Sequence, residues 1–161
     1  MLNNDILIRL RYALDMKDKE MKEVFKLGGV DVTLEEVQKM LIKPKEEIAD
    51  DEIMSVNNNE LELFLNGLIT YKRGKQETRP GQPEQPSLSN EPVNNILLKK
   101  VKIALKLTSE EIIEILDDVG VTITKSELSA LLRNKNHKNF KECGDKYARN
   151  FLKGLTVKYR G

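Results

Sequence analysis

Apolar positions recur along this chain at the three- and four-residue spacing of an amphipathic helix, and the whole pattern occurs twice. Ile6, Leu7, Leu10, Ala13 and Leu14 mark a first helical stretch. Met21, Val24, Phe25 and Gly28 mark a second, begun by Asp18 and stopped by Gly28-Gly29. Leu34, Val37, Met40 and Leu41 mark a third, and Leu61, Phe64, Leu65, Leu68 and Ile69 a fourth. Displaced by 91 residues, Asn3-Asn4 falls on Asn94-Asn95, and the register holds through Ala13/Ala104, Glu20/Glu111, Gly29/Gly120, Thr33/Thr124 and Glu36/Glu127 to Leu41/Leu132. The fourth stretch aligns at a displacement of 87, with Phe64-Leu65-Asn66-Gly67-Leu68 on Phe151-Leu152-Lys153-Gly154-Leu155 and Arg73-Gly74 on Arg160-Gly161. The second copy is therefore four residues shorter in one loop. This pattern predicts an all-α protein, a tandem duplication of a small four-helix unit. The first repeat occupies residues 1–74 and the second residues 93–161, each with at most a short extended link at Val30–Val32 and Val121–Ile123.

Local signals sharpen the helix starts. Thr33 with Glu36, Thr108 with Glu111, and Thr124 with Glu127 have capping-box spacing. Val32 with Val37 and Ile123 with Leu128 have the spacing of hydrophobic staples across the third-helix start. Asn3 or Asn4 is expected to cap the first helix. A mid-helix glycine costs about 1 kcal/mol relative to alanine. Gly67 and Gly154 hold the same place in both copies, so each is expected to admit a close neighbouring helix.

Residues 75–92 contain four of the five prolines together with Gly81, Gln, Glu and Ser, and read as a flexible linker. Behaving as coil, such a stretch reaches about 25 Å, which leaves open whether the halves pack together.

Composition narrows the function classes. Net charge is +1 over 161 residues, so no global basic field marks a dedicated nucleic-acid binder. One cysteine excludes an internal disulfide framework and fits a reducing compartment. The N-terminus has neither the basic nor the apolar region of a signal peptide, and no apolar run approaches the roughly 20 residues of a membrane helix. The expected location is the cytoplasm, with no membrane partner.

Charge is distributed unevenly. Residues 1–91 carry 13 Lys/Arg and 18 Asp/Glu, whereas residues 92–161 carry 14 and 8. The loop before the fourth helix has Glu46, Glu47, Asp50, Asp51 and Glu52 in the first copy, against Lys135, His137, Lys138 and Lys141 in the second. Basic residues continue along the last helix, interleaved with aromatic ones. Lys138, Lys141, Lys146, Arg149 and Lys153 are the candidate binding residues. They suit attraction to the acidic half, within one chain or between chains, or the acidic surface of an unidentified protein partner. The alternative is RNA or DNA bound by the basic repeat.

Other motifs resolve to bland readings. Residues 109–132 can be read as a helix-turn-helix, with Glu111 to Val119 as support and Lys125 to Arg133 as recognition helix. The turn is longer than usual, and Glu35 and Glu36 in the first copy repel phosphate. A calcium loop ending at Glu127 would place Leu116 and Gly120 where oxygen ligands are required, which excludes it. His137 and Cys143 occur once each. They lack a third group for nucleophilic catalysis and further ligands for a metal, and are expected to be a loop histidine and a small buried thiol. No phosphate loop, zinc-protease helix or nucleophile elbow is present. No catalytic, cofactor-binding or metal-binding residue is assigned, and the expected protein is not an enzyme.

Met1-Leu-Asn-Asn-Asp-Ile-Leu with Arg9-Leu-Arg-Tyr-Ala-Leu, Val30-Asp-Val-Thr33 and Phe64-Leu-Asn-Gly-Leu-Ile69 resemble the bacterial YehS-like family, a duplicated domain of unknown function. So do His137-Lys-Asn-Phe-Lys-Glu-Cys-Gly-Asp145 and Asn150-Phe-Leu-Lys-Gly-Leu155. The resemblance spans both repeats but not the linker. It implies a small, helical, cytoplasmic bacterial protein and carries no activity and no site residue. The expectation is a non-enzymatic binding or interaction protein, with a nucleic-acid-binding regulator as the alternative.

Overall fold

The computed structural model describes residues 1–42, 53–74 and 88–160. The acidic stretch Glu46–Glu52 and linker residues 75–87 lie outside them. Among the described residues there are eight helices and no strand. The first repeat holds α1 (Asn3–Ala13), α2 (Asp18–Leu27), α3 (Leu34–Met40) and α4 (Asn58–Arg73). The second holds α5 (Val93–Ala104), α6 (Ser109–Asp117), α7 (Lys125–Leu132) and α8 (Asp145–Arg160). The tandem duplication is thus present in three dimensions as two four-helix units.

Helix starts follow the local chemistry. Thr33, Thr108 and Thr124 each accept the N3 backbone N–H on their hydroxyl, while the N3 glutamate accepts the N-cap N–H in return. Val32, Val37, Ile123 and Leu128 are all buried, as stapled entries require. Asn57 and Glu60 form a further capping box at α4.

These boxes make stability depend on pH. The Thr108 backbone N–H, then its hydroxyl, hold Glu111 below its ordinary value of 4.5. For Glu127 the Thr124 hydroxyl acts first and its backbone N–H second. A depressed carboxylate stabilises fully above its unfolded pKa, and that contribution disappears as pH falls through the folded value. Thermal melting is therefore expected to soften below about pH 4.5. A Glu111→Gln/Glu127→Gln variant should melt lower than the parent at pH 7 and approach it at pH 3. A constant gap between the two would remove the caps as the cause.

At the first helix the structure corrects the expected cap. Leu2 is the N-cap of α1 and makes no side-chain bond, so Asn3 and Asn4 stand inside the first turn. Their amides serve the tertiary structure instead. Asn4 donates to the Met40 and Met54 carbonyls at 3.1 and 2.8 Å and accepts the Val56 N–H at 3.1 Å. Asn95 repeats this with the Leu131 and Lys141 carbonyls and the Cys143 N–H at 3.0, 2.9 and 2.8 Å. Each asparagine satisfies a carbonyl at the end of its repeat's third helix and two backbone groups in the segment leading to the fourth.

The two repeats pack crosswise. α1 lies against α8 and α4 against α5, so the first helix of each repeat meets the last helix of the other. The Met1 amino group bonds Asp145 at the start of α8, and Arg160 at its end bonds Asp15 just past α1, both through contacts under 3 Å. α1 and α8 therefore run parallel. Within each repeat, α2 and α6 close onto α4 and α8. The glycines make that contact. A Cβ on Gly67 would overlap the Val24 carbonyl, one on Gly28 the Leu63 carbonyl, and one on Gly154 Ile115. Phe25, Phe64 and Phe151 are fully buried in one hydrophobic core that includes residues of both repeats.

Candidate interaction surface

The five basic candidates are all exposed, and they fall on two elements. Lys138 and Lys141 belong to the loop between α7 and α8. The Lys141 backbone is pinned there, its N–H to the Ala130 carbonyl and its own carbonyl to Asn95. Lys146, Arg149 and Lys153 stand on α8 at i, i+3 and i+7, so they share one face. Among the described residues none of the five has an ion-pair partner.

The α8 group gains a neighbour from the other repeat. Arg9 and Lys153 flank a groove between α1 and α8, floored by Ile8, Tyr12 and Leu152 and enclosing about 300 Å3. Arg160 closes one end. Its guanidinium lies 4.3 Å from the centre of the Tyr12 ring and bonds Asp15 at 2.8 Å. At the start of α8, away from the groove lining, Asp145 is held below the ordinary carboxylate range first by its bond to the Met1 amino group and then by Asn94. Arg9 was not among the residues singled out from sequence. Its only signal there was its basic counterpart Lys100 at the same place in the second repeat.

The opposite seam, between α4 and α5, is built differently. Glu62 and Asn66 of α4 are the counterparts of Arg149 and Lys153, and they are only 3% and 6% exposed. Residues 88–91, which the sequence places in the linker, stand over Glu62. The Ser89 N–H and hydroxyl donate to the Glu62 carboxylate at 3.1–3.2 Å. Glu91 pairs with Lys99 and accepts the Lys135 N–H, while the Lys135 ammonium donates to the Asn90 carbonyl.

Two other sequence candidates separate. His137 is exposed, with Nδ1 accepting the Asn139 N–H and Nε2 beside Arg133. Cys143 is buried, its thiol pushed up to about 11 first by desolvation and then by Asp145. The two form no nucleophilic pair. Native Cys143 is expected to resist a disulfide reagent at pH 8 until the protein unfolds. Rapid labelling of the folded chain would contradict its burial.

The helix-turn-helix segment is α6 and α7 joined by residues 118–124, with Gly120 at φ +83°. α7 turns Lys125, Ser126, Ser129 and Arg133 toward an open cleft, but Lys125 is engaged by Glu110 at 3.2 Å. Among the described residues there is no cluster of three or more potential metal ligands, and no helix is long and apolar enough to cross a membrane.

Comparison with known proteins agrees with the duplicated architecture. The family described as "Protein of unknown function (DUF1456)" matches twice, over residues 3–74 and 94–161. The chain is 37% identical over 158 residues to the uncharacterized protein YehS of Escherichia coli (strain K12), an alignment covering 98% of this chain and 96% of that protein. No solved structure matches it significantly. With both halves matched by the same family model, the chain belongs to the DUF1456 family.

Proposed function

We propose that this protein is a non-enzymatic binding module whose α1–α8 face docks an acidic surface of a partner protein. One observation carries this reading. Arg9 and Lys153 line an apolar groove, and Arg149 stands one turn before Lys153 on the same face of α8. All three are exposed and, among the described residues, none has a carboxylate within ion-pair distance, Asp145 acting on Arg149 only from further away. Charges left unpaired around an apolar floor suit a ligand that brings both carboxylates and a hydrophobic side chain. A nucleic acid suits the groove less well. Arg160 already covers a face of Tyr12, the surface on which a base would stack. The nucleic-acid alternative draws on a different region, the exposed Lys138 and Lys141 of the α7–α8 loop.

The test is anisotropy with labelled poly-glutamate, random RNA and duplex DNA at about 50 and about 200 mM salt. The expected result is salt-sensitive binding of poly-glutamate that is lost in Arg149→Glu/Lys153→Glu. Preferential binding of RNA or DNA, lost in Lys138→Glu/Lys141→Glu, would replace this reading with the alternative.

A further inference from the structure

The duplication supplies an internal template for what the open seam takes. With displacements of 91 for the first helices and 87 for the last, Arg149 stands where Glu62 stands, Lys153 where Asn66 stands, Arg9 where Lys100 stands, and Tyr12 where Ile103 stands. At the α4–α5 seam a non-helical stretch of this chain, residues 88–91, lies on α4 and fixes itself by giving N–H and O–H donors to a carboxylate. Glu62 is thereby covered. At the α1–α8 seam the same place is open, and the sign of the chemistry is reversed. Arg149 and Lys153 present only donors, so whatever lies there must present acceptors. The apolar floor is also wider at this seam. Ile8 stands where the second repeat has Lys99, a residue engaged with Glu91 and with the Phe140 ring.

We infer that the α1–α8 seam receives a non-helical acidic peptide segment of a partner protein, laid against α8 as residues 88–91 are laid against α4. A carboxylate of that segment pairs with Arg149 and Lys153, and a neighbouring aliphatic side chain enters the groove over Ile8, Tyr12 and Leu152. The inference rests on the reading of the α1–α8 face as an acidic-protein site, and adds the conformation of the ligand and its apolar anchor.

The probes are a labelled acetyl-Lys-Glu-Glu-Leu-Asp-Glu-Glu peptide, its Leu→Gly version, and the same peptide locked into a helix by a lactam between the lysine and the aspartate, which consumes one charge of each sign and keeps the net charge and all four glutamates. Each is titrated into the full chain, into Arg149→Glu/Lys153→Glu and into Tyr12→Ala. Thermal melts check that the variants fold, and parental melting is expected because all three positions are exposed. The open leucine peptide is expected to bind about tenfold more tightly than either control. It should lose about tenfold in affinity on each variant. Amide shifts on binding should centre on α1 and α8 and spare the α7–α8 loop. Equal binding of the glycine or helix-locked peptide would overturn the inference. In that case continued poly-glutamate binding, lost with Arg149 and Lys153, would keep the broader reading. Failure of every acidic ligand to bind would overturn both.

Discussion

Replacing Gly67 with alanine is expected to destabilise the fold by about 3 kcal/mol or more, a large overpacking effect. In an exposed helix the same substitution stabilises by about 1 kcal/mol, so the sign itself is diagnostic. The added methyl would overlap the Val24 carbonyl and press on the Gly28 N–H, both main-chain groups of the neighbouring helix end. No rotamer change relieves such a clash, so α2 and α4 must move apart and open the core around Phe25 and Phe64, whose ring centroids lie 4.7 Å apart with the planes tilted by 55°. Gly154→Ala should cost less, because its main-chain overlap is shallower, 2.5 Å from the Ile115 carbonyl oxygen against 2.0 Å from the Val24 carbonyl oxygen for Gly67. Urea denaturation of the two variants measures both effects. A neutral or stabilising Gly67→Ala would mean that the helices are not in backbone contact.

Asn95→Leu carries the second large effect, a loss of about 3–5 kcal/mol from stranding several buried polar groups at about 1–3 kcal/mol each. The Leu131 and Lys141 carbonyls and the Cys143 N–H all lose their partner. Leucine has as many side-chain heavy atoms as asparagine and a larger volume, so the loss combines stranded hydrogen-bonding groups with some overpacking and contains nothing from an empty space. Asn4→Leu should behave alike, since Met40, Met54 and Val56 depend on it in the same way. The measurement is again denaturant unfolding. A change below about 1 kcal/mol, the net worth of one ordinary hydrogen bond, would mean that these groups have other partners.

These two cases separate what the sequence reveals from what it conceals. Capping boxes and staples are legible because their partners lie within five residues, and Thr33, Thr108 and Thr124 make the predicted bonds. The glycines are legible as close approaches, since the duplication repeats a costly residue at one helical position. The asparagine pairs are misread by the same local logic. An asparagine before an apolar run satisfies the rule for a cap, yet the partners that hold Asn4 and Asn95 lie 36–52 residues away. The candidate surface is half legible. Helical spacing groups Lys146, Arg149 and Lys153, but Arg9 joins them only through the crosswise packing. The same packing leaves Lys138 and Lys141 on a separate element. Nor does sequence reveal that Glu62 is buried while its counterpart Arg149 is open, because Ser89 comes from a stretch whose composition reads as linker.

The crosswise seams also order events in time. Met1 and Asp145 are 144 positions apart, and Asp15 and Arg160 are 145 apart, so α1 waits for almost the whole chain before its partner helix exists. During synthesis at about 5–20 residues per second, the outer face of α1 is bare for several seconds. The same face that later frames the groove is, in a nascent chain, an unpaired surface matched to the α8 of any finished neighbour. Exchange of α8 between chains is the mistake that this architecture most readily permits, and the Asp15–Arg160 and Met1–Asp145 pairs are the contacts an exchanged dimer would reproduce across two polypeptides.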